Sequence, residues 1–556
     1  MRVSCLLVAF LATAGPARAE SVYVLDRDAR TVTSVDGTSL SPGGVASVSF
    51  VPEHGVVMAG GASLVVLSWG SGEETRNGFE PSGPGAAALL EGVKLGTVAA
   101  SELGWGRGLL FRSADGKHAV VFSPGVDAKE AESVHAGELA VVDATQGTIR
   151  RIPLSRPASD AVLLGDGRAV VLLPRSKASE SPPELRFVDL ATGTANAVPL
   201  QGKPRSLFLA PSDNTIWLHD PGPGADDTGR VVEVSVSGQK VVGEHTLGSP
   251  ARVLGFDRLE RLLVWSAKAG LVKEPSLFAF SPGAAPTVLA GVRGASSFRY
   301  STDGAQLWLA GDGEVTKVAL GETPTEAGKT KINQRVFGFD VTPDGTRVLS
   351  GHPDGTICCR AVIADMPTGK KLDSFWTGSY GRRLGKTLPG ALLSFASYVS
   401  AERTARAEGQ RSFTWTLYTA RSGVPLFGAV FLRRDGKVGY VLNPMTDEVT
   451  VMQTDPPKKI DNLDAGKNVH EIVRLPGGDL VAVLSNSGAR VFDMETNTVV
   501  SNAPVSGGPA WIAFSPDGSR FWVSGDGSVH VLDTKSGKVI ASSNAFKRPT
   551  EILVGR

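Results

Sequence analysis

Cysteine is nearly absent from this chain of 556 residues: there are three, and one of them, Cys5, lies in an N-terminal apolar run. The remaining two are neighbours, Cys358 and Cys359, so no disulfide framework holds the chain together. Adjacent cysteines on a strand face opposite ways, as two separate small apolar residues. The alternative in an oxidising compartment is a strained vicinal disulfide. An excess of charge is missing too. Lys and Arg number 57 against 56 Asp and Glu, which argues against nucleic acid or an anionic membrane as the main partner. Beyond the N-terminus no apolar run approaches the roughly 18 residues that cross a bilayer as a helix, which argues against membrane insertion. Helical periodicity is scarce, whereas Gly (66) and Pro (34) are plentiful, which predicts an all-β chain dense in turns.

The N-terminus has the layout of a secretory signal: Met1-Arg2, an apolar run from Val3 to Ala14, then Ala17-Arg18-Ala19. Cleavage after Ala19 leaves a mature chain starting at Glu20, with 57 − 2 = 55 basic residues against 56 acidic. The expected location is periplasmic or secreted.

What the chain has in abundance is one repeated turn. Asp115-Gly116, Asp166-Gly167, Asp213-Asn214, Asp303-Gly304, Asp344-Gly345, Asp435-Gly436, Gly477-Gly478 and Asp517-Gly518 recur at intervals of 40 to 51 residues, with two double intervals. Asp257-Arg258 falls midway in the first double interval. The second implies a degenerate unit around residues 379 to 425, and Glu53-His54-Gly55 is a looser copy. Proline presets φ for such a turn, aspartate suits the position after it, and glycine takes the left-handed residue. A second marker is phased with the first. Asp143 to Gly147, Asp189 to Gly193, Asp365 to Gly369 and Asp533 to Gly537 keep one spacing, and Asp493 to Asn497 keeps it with asparagine. We read these carboxylates as turn caps. Each unit, as in residues 509 to 546, holds four short strands that cannot bury both faces alone and must stack on copies.

The segments TPDGTRVLSGHPDGTICCR and SPDGSRFWVSGDGSVHVLDTKSGKVIAS resemble blades of WD-repeat and YVTN-type bacterial β-propellers. The resemblance covers most of residues 21 to 556, although Val-Asp, Leu-Asp or Phe-Asp replaces the usual Trp-Asp ending of strand three. It implies a β-propeller of four-stranded blades. Eleven full or partial units are recognisable, with a twelfth assembled from the ends: Pro549 to Val554 as first strand, Val22 to Val35 as strands three and four. Because a ring of about 4 to 8 blades is usual, the expectation is two propellers of about six to seven blades, residues 20–291 and 292–556. A second choice of boundary lies elsewhere between 248 and 332.

Loop length is uneven. Between strands two and three, four successive early units carry long polar insertions: Ser123 to Gly137, Pro174 to Glu184, Asp220 to Gly229 and Ser266 to Pro275. Later units join the same strands tightly, as in Gly311-Asp312-Gly313. This connection always leaves a blade on one face, so the four gather on one rim, where binding residues usually reside. Lys129, Glu130, His135, Arg175, Lys177, Asp226, Asp227 and Lys268 are the candidate partner-binding residues, and the partner expected is a protein or envelope polymer. The bland alternative is tolerated surface insertion.

Chemical motifs are few. There is no H-E-x-x-H and no G-x-S-x-G, and Arg474 stands where a second zinc ligand would follow His470-Glu471. Gly381 to Thr387 is one spacer short of a phosphate loop, and Asp226-Asp227 does not continue as a calcium loop. Trp217, Trp308, Trp511 and Trp522 are expected to pack between blades. No catalytic residue, metal or cofactor is assigned, and the leading expectation is an exported non-catalytic scaffold. Propeller lactonases and quinone-dependent dehydrogenases supply the enzymatic alternative, the latter echoed here only by Cys358-Cys359. A structural envelope component is the third possibility.

Overall fold

The repeated turns organise the chain as their chemistry requires. The computed structural model is all-β. It describes the strands named below and most turns between them from residue 154 to 379 and from 430 to 554; residues 1–20, 92–108 and 380–429 lie outside. Among the described residues, ten sheets have four antiparallel strands and one has three. We number them by position. Sheet 2 spans 56–91, sheet 3 109–153, sheet 4 160–199, sheet 5 206–247 and sheet 6 251–290. Sheet 7 spans 297–331, sheet 8 338–376, sheet 9 430–464, sheet 10 469–503 and sheet 11 509–543. Sheet 1 joins the chain ends. Sheets 3 to 11 are plain meanders of four consecutive strands.

Two side-chain devices close the turns. Between strands one and two, a hydroxyl accepts the backbone N–H five residues on: Gln306 to Ser301 (2.8 Å), Arg347 to Thr342 (2.9 Å) and Arg520 to Ser515 (2.9 Å). The glycine of Asp-Gly takes a positive φ, 69° at Gly345, which carries no steric penalty there. Between strands three and four the aspartate accepts the next free N–H groups. Asp189 receives Ala191 and Thr192, Asp493 receives Glu495 and Thr496, and Asp533 receives Ser536. The carboxylates read as caps are therefore caps, with the Asp143 turn outside the described residues. An unforeseen copy runs from Asp36, which caps Thr38 and Ser39, to Leu40 at φ 56°.

Successive sheets pack face to face. Side chains alternate across each strand, so among the described residues sheets 4 to 11 each have two apolar faces and share a core with both neighbours. Leu139 and Ile152 meet Val171 and Leu173 between sheets 3 and 4; Leu172 and Phe187 meet Ile216 and Leu218 between 4 and 5. Trp217 is buried between sheets 5 and 6, Trp308 between 7 and 8, and Trp522 between 11 and 1. Sheets radiating from their inner strands and stacked in chain order make a β-propeller. The expected division at 291/292 falls within the seam of sheets 6 and 7, where Leu254, Leu263 and Leu277 share one core with Leu307, Leu309 and Val318.

Two expectations need correction. The ends do pair, but residues 21–26 are strand two, bonded directly to 549–554 with Val22 opposite Val554 and Val24 opposite Ile552. Residues 31–36 and 42–47 follow as strands three and four. Leu25-Asp26 imitates a strand-three ending; the aspartate that caps the turn is Asp36, after Val35. Second, the unit expected around 379–425 has no place between its neighbours. Leu349, Ala361 and Ile363 of sheet 8 pack directly on Val430, Leu432 and Met452 of sheet 9, and Asp340 accepts the Leu432 N–H at 2.9 Å. Residues 380–429 themselves lie outside the described chain.

Candidate functional site

The connection from strand two to strand three and the connection to the next sheet leave each meander on the same face. On that face, sheets 3, 4, 5 and 6 carry the connections 123–137, 174–183, 221–228 and 267–275. Their shared cores make these four sheets consecutive neighbours. Sheets 7, 10 and 11 cross the same gap with 312–313, 486–487 and 526–527. Sheet 9 uses 444–447 and sheet 8 the longer 353–359, so the four longest of these connections, though not every extended one, leave one contiguous arc of the face.

Below the loops, several apolar seams among the described residues are topped by polar bonds from the later sheet to the connection leaving the earlier one. Ser155, leaving sheet 3, bonds Arg186 (2.8 Å) and Glu184 (3.4 Å) of sheet 4. Asp220 of sheet 5 accepts the Lys203 N–H at 2.7 Å, and Arg230 lies 3.8 Å from it while pairing with Glu244 at 2.5 Å. Ser266 of sheet 6 donates to the Gly248 carbonyl at 3.1 Å. In sheet 7, Lys329 donates to the Gly291 carbonyl at 3.2 Å and sits 3.7 Å from the buried Glu314. Asn443 and Glu448 of sheet 9 hold the Thr377 carbonyl (3.0 Å) and the Ser379 N–H (2.6 Å). Buried carboxylates of this kind resemble catalytic groups when met singly, but their repetition at several seams marks them as latches. Asp220 and Glu448 each accept a backbone N–H, and Glu314 is held by its ion pair with Lys329.

Of the candidate partner-binding residues, Arg175 is described, and it is exposed at the root of its loop. Lys129, Glu130, His135, Lys177, Asp226, Asp227 and Lys268 lie outside the described residues, as do Cys358 and Cys359. Sequence reasoning missed the latch residues Asp220, Glu314, Asn443 and Glu448. The available signal was a polar residue recurring at the end of an otherwise apolar strand two or the start of strand three. Nor did it find His219, one residue before Asp220 and nine-tenths buried. Burial pulls its pKa down to about 4, with Asp220 opposing and Arg205 assisting. Among the described residues no three His, Cys, Asp or Glu side chains converge as a metal site requires.

The closing sheet fixes the other face. Its connection 27–30, from strand two to strand three, belongs to the rim face. The start of strand two at Ser21 and the end of strand one at Val554 therefore both lie opposite the rim.

No protein-family model matches the chain, and no curated protein matches it. Among solved structures, the chain is similar to hydrazine synthase of Kuenenia stuttgartiensis (13% identity, TM-score 0.27, 62% of this chain and 94% of that one). It is also similar to the Dos1 propeller (10% identity, TM-score 0.35, 78% and 93%). A third likeness is to the dihydro-heme d1 dehydrogenase NirN (13% identity, TM-score 0.33, 72% and 75%). At these identities and TM-scores, none of the three bears on activity.

Proposed function

We propose that this chain is an exported, non-catalytic β-propeller scaffold that holds a protein or envelope polymer on the rim of sheets 3 to 6. The observation that carries this reading is contiguity. Four neighbouring sheets send their long connections out of one face, and latches to the preceding connection root them there. Rigid roots under variable polar loops are how scaffolds present recognition surfaces. Kinship with WD-repeat or YVTN-type propellers rests on the turn motifs, and export on Ala17-Arg18-Ala19. The test uses the full chain tethered by its C-terminus, since the last described strand ends at Val554 on the opposite face. A partner captured from envelope extract should be lost when 123–137 and 174–183 are replaced by two-residue turns, with the unfolding midpoint unchanged. Capture that survives the replacement contradicts the rim. An isolated protein still carrying residues 1–19 contradicts export.

A further inference from the structure

Sheet 5 turns toward sheet 6 a largely apolar face that carries two imidazoles and one buried carboxylate, Glu233. His219, Val231 and His245 stand directly opposite one another on strands two, three and four, so their side chains share that face. Val231 is fully buried with Phe256, Leu262, Val264, Phe278 and Phe280, and Trp217, two residues before His219, joins the same core. The His245 ring tilts against Phe280 at 5.1 Å, and the Trp217 ring meets it at 5.7 Å. Nε2 of His219 and Nε2 of His245 are buried without a hydrogen-bond partner among the described residues, as is Nε1 of Trp217. The charged groups acting on these rings belong to sheet 5 and its entry: Asp220 and Arg205 on His219, Glu233 on His245. Glu233 gives one oxygen, Oε1, to the Gly283 N–H at 2.8 Å and still favours the charged form of His245. From sheet 6 the described strands present Ser266, Ser276, Phe278 and Phe280, none of them charged.

The position matters as much as the chemistry. His219 stands one residue before Asp220, from which the 221–228 connection departs, and Ser266 launches the 267–275 connection across the seam. We propose that this seam is an acid-operated switch: protonation of His219 and His245 drives sheets 5 and 6 apart at their loop-bearing end and takes down the part of the rim they share. The consequence for binding rests on the rim reading; the opening of the seam does not.

An imidazolium at His219 has no hydrogen-bond acceptor for Nε2 among the described residues. Burial outweighs the attraction of Asp220 there, so water entering between the sheets favours the charged ring. At the half-buried His245 the Glu233 carboxylate offsets part of the burial, and His219 carries most of the effect. Burial lowers both pKa values, His219 to about 4, whereas an opened, hydrated imidazole titrates near the ordinary 6.5. The open form therefore binds more protons below pH 6.5, and opening grows as pH falls until the closed form also protonates near pH 4. Taking His219 alone, the opening constant at pH 5 should exceed that at pH 7.5 by about thirty-fold.

Amide exchange of the full chain at pH 7.5 and 5.0, corrected for intrinsic rates, reads this directly and needs no partner. Residues 215–235 and 262–280 should lose protection by about that factor at pH 5 while residues 430–503 keep theirs. His219→Leu and His219→Gln should each remove most of the response. No acid response in the wild type, or an equal one in both variants, overturns the switch. If neither variant folds, the imidazole carbon resonances of the wild type decide. A titration midpoint below about 5 supports the switch; all eight histidines near the ordinary 6.5 would overturn it. A rim that fails the loop-replacement test while the seam still opens in acid would separate the two proposals.

Discussion

Asp257 and Arg261 are both nearly excluded from solvent in the first turn of sheet 6, joined by paired bonds of 2.8 and 2.6 Å. Asp257 also accepts the N–H groups of Leu259 and Arg261, and Arg261 reaches the Glu322 carbonyl in the turn between strands three and four of sheet 7. Removing one partner strands a buried charge, so Asp257→Ala should cost about 3–5 kcal/mol in denaturant unfolding. Asp533→Ala removes a solvent-facing cap and should cost about 1 kcal/mol. The pH behaviour divides in the same way. Hydrogen bonds from turn N–H groups and hydroxyls, or from arginine, hold Asp36, Asp166, Asp303, Asp344, Asp435 and Asp533 below the usual carboxylate range. Their contribution is full above the unfolded pKa near 4 and is lost as pH falls through the lower folded values. That of neutral His219 is full above 6.5 and declines toward about 4. The unfolding midpoint should therefore fall in two stages on acidification, and His219→Leu should flatten only the upper one. A single decline confined below pH 4 contradicts this division.

At the scale of elements, turns were legible in the sequence and seams were not. Ser-x-Asp-Gly and Asp-x-x-x-Gly are local chemistry, complete within a few residues, so the turns at Ser301, Thr342, Ser515, Asp189 and Asp533 could be read directly. The turn ending at Leu40 escaped because its fifth residue is not glycine. Asp220 and Glu448 showed in the sequence only as polar residues at the edge of apolar strands, because their burial comes from a neighbouring sheet. The packing of sheet 8 on sheet 9 is likewise a long-range fact. Gly439 lies where an added Cβ would stand 2.1 Å from Leu349 Cδ2, and nothing near residue 439 announces that contact. Since these two sheets need nothing between them, replacing residues 381–428 with a flexible linker should leave a single cooperative unfolding transition. Separate unfolding of the two halves would contradict the shared seam.

The whole molecule is held by closure. Sheets 4 to 11 each present two apolar faces, and an open stack would leave the outer face of sheet 11 in water. Instead Trp522, Val529 and Val531 of sheet 11 pack on Val22, Val24 and Ile552 of sheet 1, whose strands come from both chain ends. Edges are restrained elsewhere. The outer strands of sheets 5, 7, 8, 9, 10 and 11 each pair through a register shift. Lysines 240, 329, 371 and 459 lie along them. Both devices discourage pairing between molecules.

The most direct test of closure is a cysteine pair at Val24 and Ile552, with Cys358 and Cys359 replaced by serine. These two positions face each other across the strands that join the chain ends. In the folded protein the pair should oxidise within one molecule, without denaturant, and raise stability by about 4 kcal/mol. Thiols that stay reduced in the native state, or that link one molecule to another, would contradict the closed propeller.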